Sequence, residues 1–360
     1  MAEEVVGVAL SGGVDSAMAA HILLEQGYAV VGFFMELAQP ELDKDRRRAE
    51  AVAARLGIEL RSVDLRRAFR RRVLDYLREQ YRRGLTPNPC LVCNREIKFG
   101  LLRQAMEAAG ITRMATGHYA ILRQDDGPRL CKGADSGKDQ SYFLAGLGRN
   151  QLAGLLLPLG RYHKRETVAM ATAHGFTQSF SPGFTGFAGE SQDVCFLSGQ
   201  SVGNFLANEL GEKNGPILTT AGKEIGRHRG LFRYTIGQRR GLNLPVGLPD
   251  ATPWYVVRLD TKRNAVIVGK SEELFAKSLT TSQANWLRRP ADFSDLFTVR
   301  IRSNHAGGAA RLVPEANDGL IINFIEPQRA VAPGQFAVIY RDDEVLGSAV
   351  ITASGTANGD

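Results

Sequence analysis

Two groups of residues in this chain have types and spacings suited to chemistry. The first is Ser11-Gly-Gly-Val-Asp-Ser16, which follows an apolar run at residues 5–10 and leads into a helical pattern at 16–26 closed by Gly27. A buried strand feeding a glycine turn and then a helix forms a cradle for pyrophosphate. Gly12 and Gly13 have no Cβ, so backbone N–H groups can approach phosphate oxygens. Ser11 and Ser16 add hydroxyl donors, and the helix N-terminus favours an anion by roughly 0.3–1 kcal/mol. Asp15 is the odd member: a carboxylate beside phosphates repels them unless a cation lies between. This reads as a Mg²⁺ ligand, direct or through water. The loop lacks the lysine of the other common phosphate-binding motif, G-x-x-x-x-G-K-[ST].

The second group is cysteine. The segment 86–100 reads Thr-Pro-Asn-Pro-Cys-Leu-Val-Cys-Asn-Arg-Glu-Ile-Lys-Phe-Gly. Its prolines hold the backbone extended, and a helix is expected over 94–109. Cys93 would then sit just before a helix N-terminus, where a thiolate is stabilised, with Arg95 and Lys98 adding positive field. Cys195 stands in a short apolar stretch beside Gln192 and Asp193, whereas Cys131 ends a strand with no polar neighbours and reads as structural. A C-x-x-C pair could also be half of a zinc site or a redox pair, but no second pair of ligands at matching spacing follows.

The elements that must position these residues alternate. Strands are expected at 28–34, 58–63 and 113–116, helices at 41–56, 65–83 and 94–109, and a further helix at 164–174. This order predicts an α/β fold with a doubly wound parallel sheet whose ligand lies beyond the strand carboxyl ends. The phosphate loop, Met35 and Gly117-His118 all fall at such ends. Residues 120–131 read as a hairpin. From about 205 glycine- and proline-rich turns dominate, and after 253 the pattern is β: a hairpin at 254–269, then strands at 296–302, 309–313, 320–324, 336–340 and 345–351, expected to form a small barrel or sandwich. The expected domains are 1–205, 206–273 and 274–352, with a disordered tail at 353–360.

Bulk composition is that of a globular protein: 360 residues, 44% hydrophobic and 23% charged, with a formal net charge of +7. The basic balance is compatible with a nucleic-acid partner. No apolar run is long enough to span a membrane, and Glu3 and Glu4 at the start of the first strand argue against a signal peptide. The expected compartment is the cytoplasm, where four cysteines do not form a disulfide framework.

The phosphate loop resembles that of the PP-loop N-type ATP pyrophosphatases. Residues 11–16, 86–100, 116–120 (Thr-Gly-His-Tyr-Ala), 138–144 (Lys-Asp-Gln-Ser-Tyr-Phe-Leu), 191–197, 230–242 and the 327–338 segment together resemble, in order, the signature segments of the tRNA-specific 2-thiouridylase (MnmA) family. The resemblance implies a PP-loop (adenine nucleotide alpha hydrolase-like) domain, a small central domain and a C-terminal β-barrel. It implies that ATP adenylates the C2 oxygen of a wobble uridine, releasing pyrophosphate, and that a persulfide sulfur then displaces AMP. By the family pattern Cys195 carries the persulfide and Cys93 is the nucleophile, with a disulfide between them as a further implication. Ala9, Leu10, Ser11, Gly12, Gly13, Val14, Asp15, Ser16, Met35 and Gly117 would hold ATP. Asn88, Pro89, Cys90, His118, Lys138, Asp139, Gln140, Arg302, Ser303 and Gln335 would face tRNA. The implied partners are tRNA and a sulfur donor, such as a cysteine desulfurase or persulfide relay protein, with the enzyme as a monomer.

This chain departs from the pattern in three places. The segment after Glu36 is short, the barrel segment Arg300-Ile-Arg-Ser-Asn-His305 differs, and Cys90 stands where many members have aspartate. Cys90, Cys93 and Cys195 are therefore three candidate thiolates, a set that could hold a [4Fe–4S] cluster. Two other functions stay open: a PP-loop synthetase or ligase that uses an amine, and a non-catalytic tRNA-binding protein. Eight arginines between 66 and 83 are either a solvated helix face or a contact for tRNA phosphates.

Overall fold

The computed structural model describes residues 4–176, 195–197, 200–245 and 252–355. The first sheet is built from β1 (Val5–Ala9), β2 (Ala29–Glu36), β3 (Glu59–Asp64), β4 (Arg113–Ala115) and, beyond a hairpin of β5 (Ala120–Arg123) and β6 (Arg129–Lys132), β7 (Leu155–Leu156). Its order is β3-β2-β1-β4-β7 and every pairing is parallel, as the strand–helix alternation requires. The connecting helices are α1 (Val14–Glu25), α2 (Leu42–Leu56), α3 (residues 66–82) and α4 (residues 89–108), with α5 (Lys164–Ala173) after β7. Helix α1 buries residues on every side, including Ser16, Ala17, Met18, Ala19 and Ala20, as a helix sandwiched between a sheet and its neighbours must.

Helix α4 corrects the sequence reading. It starts at Pro89 rather than near Asn94, because Asn88 caps it: the Asn88 side chain accepts a hydrogen bond from Cys90 N (3.1 Å), and proline is favoured in the first helical position. Both α3 and α4 also contain wide turns, at Arg70–Leu74 and Asn94–Leu102. A wide turn strands carbonyls from their usual helical partners. In α4 the Gln151 amide takes two of these, Arg95 O (2.8 Å) and Phe99 O (2.9 Å).

After α6 (Val202–Leu210), a four-stranded sheet follows: β8 (Gly215–Thr219), β9 (Glu224–His228), β10 (Tyr255–Asp260) and β11 (Ala265–Gly269), in the order β10-β11-β8-β9. The expected 254–269 hairpin is the β10–β11 pair, and it pairs with β8 in this central sheet. The barrel comprises β12 (Phe275–Trp286), β13 (Phe297–Arg300), β14 (Gly308–Glu315), β15 (Gly319–Arg329), β16 (Phe336–Arg341) and β17 (Glu344–Gly355). Its order β12-β15-β14-β13-β16-β17 is closed by pairing of β12 with β17.

Two features of the barrel escape the sequence reading. Strand β12 is polar and its alternation is broken by register shifts, so its inward Ala276, Leu279 and Thr281 do not stand out. The tail expectation also changes: Ala353, Ser354 and Gly355 continue β17 opposite Thr280, Leu279 and Ser278, since backbone pairing needs no apolar side chain; 356–360 lie outside the described residues. The hairpin β5–β6 extends the barrel sheet, with Cys131 opposite Glu344. One apolar core runs from Leu91 and Ile97 of α4 to Phe336, Val338 and Tyr340 of the barrel, so the two units are packed as one body. Among the described residues no helix is long and apolar enough to cross a membrane.

Candidate active site

The phosphate loop lies beyond the carboxyl end of β1. Ala9 and Leu10 are buried, and Leu10 N donates to Phe33 O (2.9 Å), so the strand is held until the loop begins. Gly12 adopts φ +78°, and a Cβ there would lie 2.7 Å from Ala49 N; Gly13, with φ −84°, is the N-cap of α1. Only the first glycine therefore uses the left-handed region, while Gly13 is open and Val14 begins the helix. Ser16 ties the loop from within: its Oγ donates to Gly13 O (2.9 Å) and accepts from Ser11 N (3.2 Å). The result is a preorganised turn over the N-terminus of α1. Met35, near the end of β2, packs against the core beside it.

A cation already stands beside Asp15, on a residue the sequence reading did not single out. Lys164 Nζ, at the start of α5, lies 2.8 and 2.9 Å from the two Asp15 oxygens, and Tyr119 Oη donates to Oδ1 (2.8 Å). Lys164 is separated from Asp15 by 149 positions, so no local motif announces the pair. Its placement rests on Asp135, whose Oδ2 accepts from Lys164 N (2.9 Å); hydrogen bonds from Lys164 and Gly137 hold the Asp135 carboxyl below its ordinary pKa.

Gly117 packs against this loop. A Cβ there would lie 2.7 Å from the Asp15 carbonyl, so glycine allows the end of β4 to meet α1. The next residue, His118, faces α4: its ring lies 5.7 Å from that of Phe99, and Nδ1 is 2.8 Å from Thr116 Oγ1. Burial pushes its pKa well below the usual imidazole range and the Lys98 charge adds to this, which favours the neutral ring. The phosphate loop and the cysteine helix thus meet through Gly117-His118.

Cys90 and Cys93 are both half-buried and lie three residues apart in the first turns of α4, on one face of the helix. The early start of α4 moves the helix-terminus argument from Cys93 to Cys90, the second helical residue, because the terminal field fades within one turn. Cys131 is buried and its thiol pKa is pushed up by burial, as befits a structural residue. The side chain of Cys195, with Gln192 and Asp193, lies outside the described residues. Its neighbours Phe196 and Leu197 belong to the core that Cys93 packs against, and Phe196 meets Phe69 edge-on at 5.2 Å.

Several residues that the family resemblance assigns to tRNA also make contacts within the chain. Gln335 Nε2 donates to Thr86 O (2.8 Å), and Thr86 N donates to Pro333 O (2.9 Å), so the barrel clamps the loop leading to Asn88, Pro89 and Cys90. Asp139 is buried: its carboxylate accepts from Gly133 N, Ser141 N and Ser141 Oγ and pairs with Arg300 of the barrel (2.8 Å). Gln140 Oε1 accepts from Tyr119 N (3.0 Å), and Lys138 N donates to Asp135 O (3.0 Å). Ser303 O accepts from Arg300, and burial, with the nearby Arg329 charge, lowers the pKa of Arg302.

Arg66, Arg72, Arg78 and Arg82 pair with carboxylates. Arg71, Arg72 and Arg95, with Glu96, Tyr76 and Gln80, line a cavity of about 630 Å³ beside Val92, and Glu96 pairs with both Arg72 and Arg95. The cavity is a basic hollow one residue from Cys93.

Comparison with known proteins agrees with this architecture. Family models described as tRNA methyl transferase HUP domain, tRNA methyl transferase PRC-barrel domain and aminomethyltransferase beta-barrel domain match residues 4–199, 203–270 and 276–351. The tRNA-specific 2-thiouridylase MnmA of Desulfotalea psychrophila is 46% identical over 98% of this chain and all of its own. That of Treponema denticola is 40% identical over 96% of each chain. Among solved structures, the U34-tRNA thiolase NcsA from Methanococcus maripaludis with its [4Fe-4S] cluster is similar at 18% identity and TM-score 0.34, over 58% of this chain and 68% of that one, too distant to inform the site. On the near full-length identity to these relatives, together with the three matched domains in order, this chain belongs to the tRNA-specific 2-thiouridylase MnmA family.

Proposed function

We propose that this protein is an ATP-dependent tRNA sulfurtransferase that converts the wobble uridine of tRNA to 2-thiouridine. The observation that carries the reading is the junction at Gly117-His118, where a phosphate cradle abuts the helix bearing Cys90 and Cys93. The family-model descriptions speak of methyl transfer, but paired cysteines beside a phosphate cradle suit sulfur chemistry.

The uracil C2 oxygen attacks the α-phosphorus of ATP, and pyrophosphate leaves into the loop formed by Ser11 to Ser16. Adenylation turns a poor leaving oxygen into AMP. The terminal sulfur of a persulfide on Cys195 attacks C2 and expels AMP. The Cys93 thiolate then attacks Cys195 Sγ, which releases the 2-thiouridine thiolate and leaves a Cys93–Cys195 disulfide for external reduction. A donor protein reloads the sulfur. Lys164 and Tyr119 hold the Asp15 carboxylate beside the phosphates. Asp15 keeps acceptor capacity on Oδ2, which fits Mg²⁺ through a bound water; Mg²⁺ would neutralise phosphate charge. Arg71 offers charge to the tRNA backbone beside Arg72 and Arg95, which share the single carboxylate of Glu96, predicting binding that weakens with salt.

A second reading draws on Cys90 and Cys93 sharing one helix face, which with Cys195 could ligate a [4Fe–4S] cluster. One experiment separates the readings. Iron-free protein is incubated with tRNA, ATP, Mg²⁺ and a persulfide donor, and digested nucleosides are analysed by mass spectrometry. 2-Thiouridine that disappears with Cys93→Ala and Cys195→Ala supports the persulfide route. Product formed only after anaerobic iron–sulfur reconstitution supports the cluster. No 2-thiouridine under either condition overturns the thiolation reading.

A further inference from the structure

Helices α1 and α5 lie side by side and run the same way. Their starts are joined by Asp15 and Lys164 at the phosphate loop. Their far ends meet at a second cluster. His21 and Glu25 are one turn apart on α1, with His21 Nε2 3.2 Å from Glu25 Oε1. His174, the C-cap of α5, brings its ring to 4.1 Å from that of His21, tilted by 53°. One ligand atom from each of the three residues lies within 4.8 Å of the others.

His21 Nε2 is buried and lies 3.2 Å from Glu25 Oε1, close enough for the carboxylate to act on the ring but poorly aligned for an N–H bond. Two parallel helices place their negative ends together, and neither has a basic residue in its last turn. Arg55 caps the end of α5 by donating to His174 O at 3.0 and 2.7 Å, which fixes the His174 backbone and leaves its imidazole available. Phe176, buried edge-on to His21 at 5.8 Å, forms an apolar wall.

We propose that His21, Glu25 and His174 bind one divalent transition-metal ion of zinc type, which clips the far ends of α1 and α5 together. Two imidazoles and a carboxylate suit zinc, nickel or copper rather than magnesium or calcium. Zinc bonds of about 2.0–2.1 Å place tetrahedral ligand atoms roughly 3.4 Å apart, close to the His21–Glu25 spacing. Closure of the third edge takes a shift on the order of an ångström by the exposed Glu25 and His174 side chains. Water completes the fourth position. Such an ion holds the two helices whose starts carry Asp15 and Lys164, and it stabilises the folded chain by binding it preferentially.

The test uses the full chain with its thiols alkylated, without ATP, titrated with zinc chloride against a chromophoric chelator. The expected result is one zinc per chain, a raised melting midpoint, and an X-ray absorption shell of nitrogen and oxygen with imidazole scattering and no sulfur near 2.3 Å. His174→Gln and Glu25→Gln should each weaken zinc by at least about tenfold while leaving the metal-free melt unchanged. His21→Asn should do the same, but it is the less clean variant because the ring is packed. Unchanged affinity in the His174 and Glu25 variants, or zinc binding that vanishes when thiols are blocked, overturns the proposal.

Discussion

Replacing Lys164 with methionine keeps the length and apolar stem of the side chain and removes its charge. In the folded chain that charge makes two contacts with Asp15, at 2.8 and 2.9 Å, and Lys164 is 14% exposed while Asp15 is 33% exposed. Two unit charges about 4 Å apart attract by roughly 4 kcal/mol at an effective dielectric of 20. Solvent at Asp15 and the desolvation of Lys164 reduce this to the ~1.5–3 kcal/mol usual for charged hydrogen bonds. Without Lys164 the Asp15 carboxylate faces incoming phosphates with its charge unbalanced. A loss of ~2.7 kcal/mol corresponds to about a hundredfold fall in kcat/KM for ATP, read by tRNA-dependent exchange of labelled pyrophosphate into ATP. Tyr119→Phe, which removes one neutral donor from the same carboxylate, should cost a few-fold. The decisive measurement is the cycle with Asp15→Asn: once Lys164→Met is in place, Asp15→Asn should cost ~1.5–3 kcal/mol less than it does alone. A Lys164→Met effect below about threefold, or a coupling under ~0.5 kcal/mol, would refute the charge-balance argument.

Gly117→Ala should destabilise the chain by ~1–3 kcal/mol in urea unfolding and raise the KM for ATP, since the new methyl lies 2.7 Å from the Asp15 carbonyl, a backbone atom with little room to move. Gln335→Leu frees the Thr86 carbonyl and should cost ~1 kcal/mol, seen as faster hydrogen exchange across 86–93; unchanged exchange would mean that the clamp is idle. His118, His228 and His305 all have pKa values lowered chiefly by burial. The unfolded chain then binds more protons than the folded one at mildly acid pH. Stability should therefore be fully present above the unfolded imidazole pKa, about 6.5, and fall as pH drops below it. His118→Gln should flatten the pH–stability curve; an unchanged slope in that variant counts against a neutral buried ring.

The phosphate loop was legible because its physics is local. Apolar strand, glycine turn, hydroxyls and helix start are contiguous, and the fold places them as the spacing required. The alternation of the first sheet was readable for the same reason, since each parallel strand must be followed by a crossover. The start of α4 was misread by a few residues because the prolines suggested extended chain, whereas the Asn88 cap makes Pro89 a helix start. Strand β12 escaped because register shifts break the period-two signal on which a sequence reading depends.

What the sequence alone determined was the chemistry on offer: a cradle for phosphate and cysteines for sulfur, on an α/β frame with a barrel behind it. What the tertiary structure decided was which distant groups act on those residues. Lys164 meets Asp15 across 149 positions, and Gln335 reaches the carbonyl of Thr86 across 249. Asp139, which the family resemblance assigns to tRNA, has its carboxylate buried against Arg300 across 161 positions. These pairings depend on how separate elements pack, and packing leaves no local period or motif in the chain.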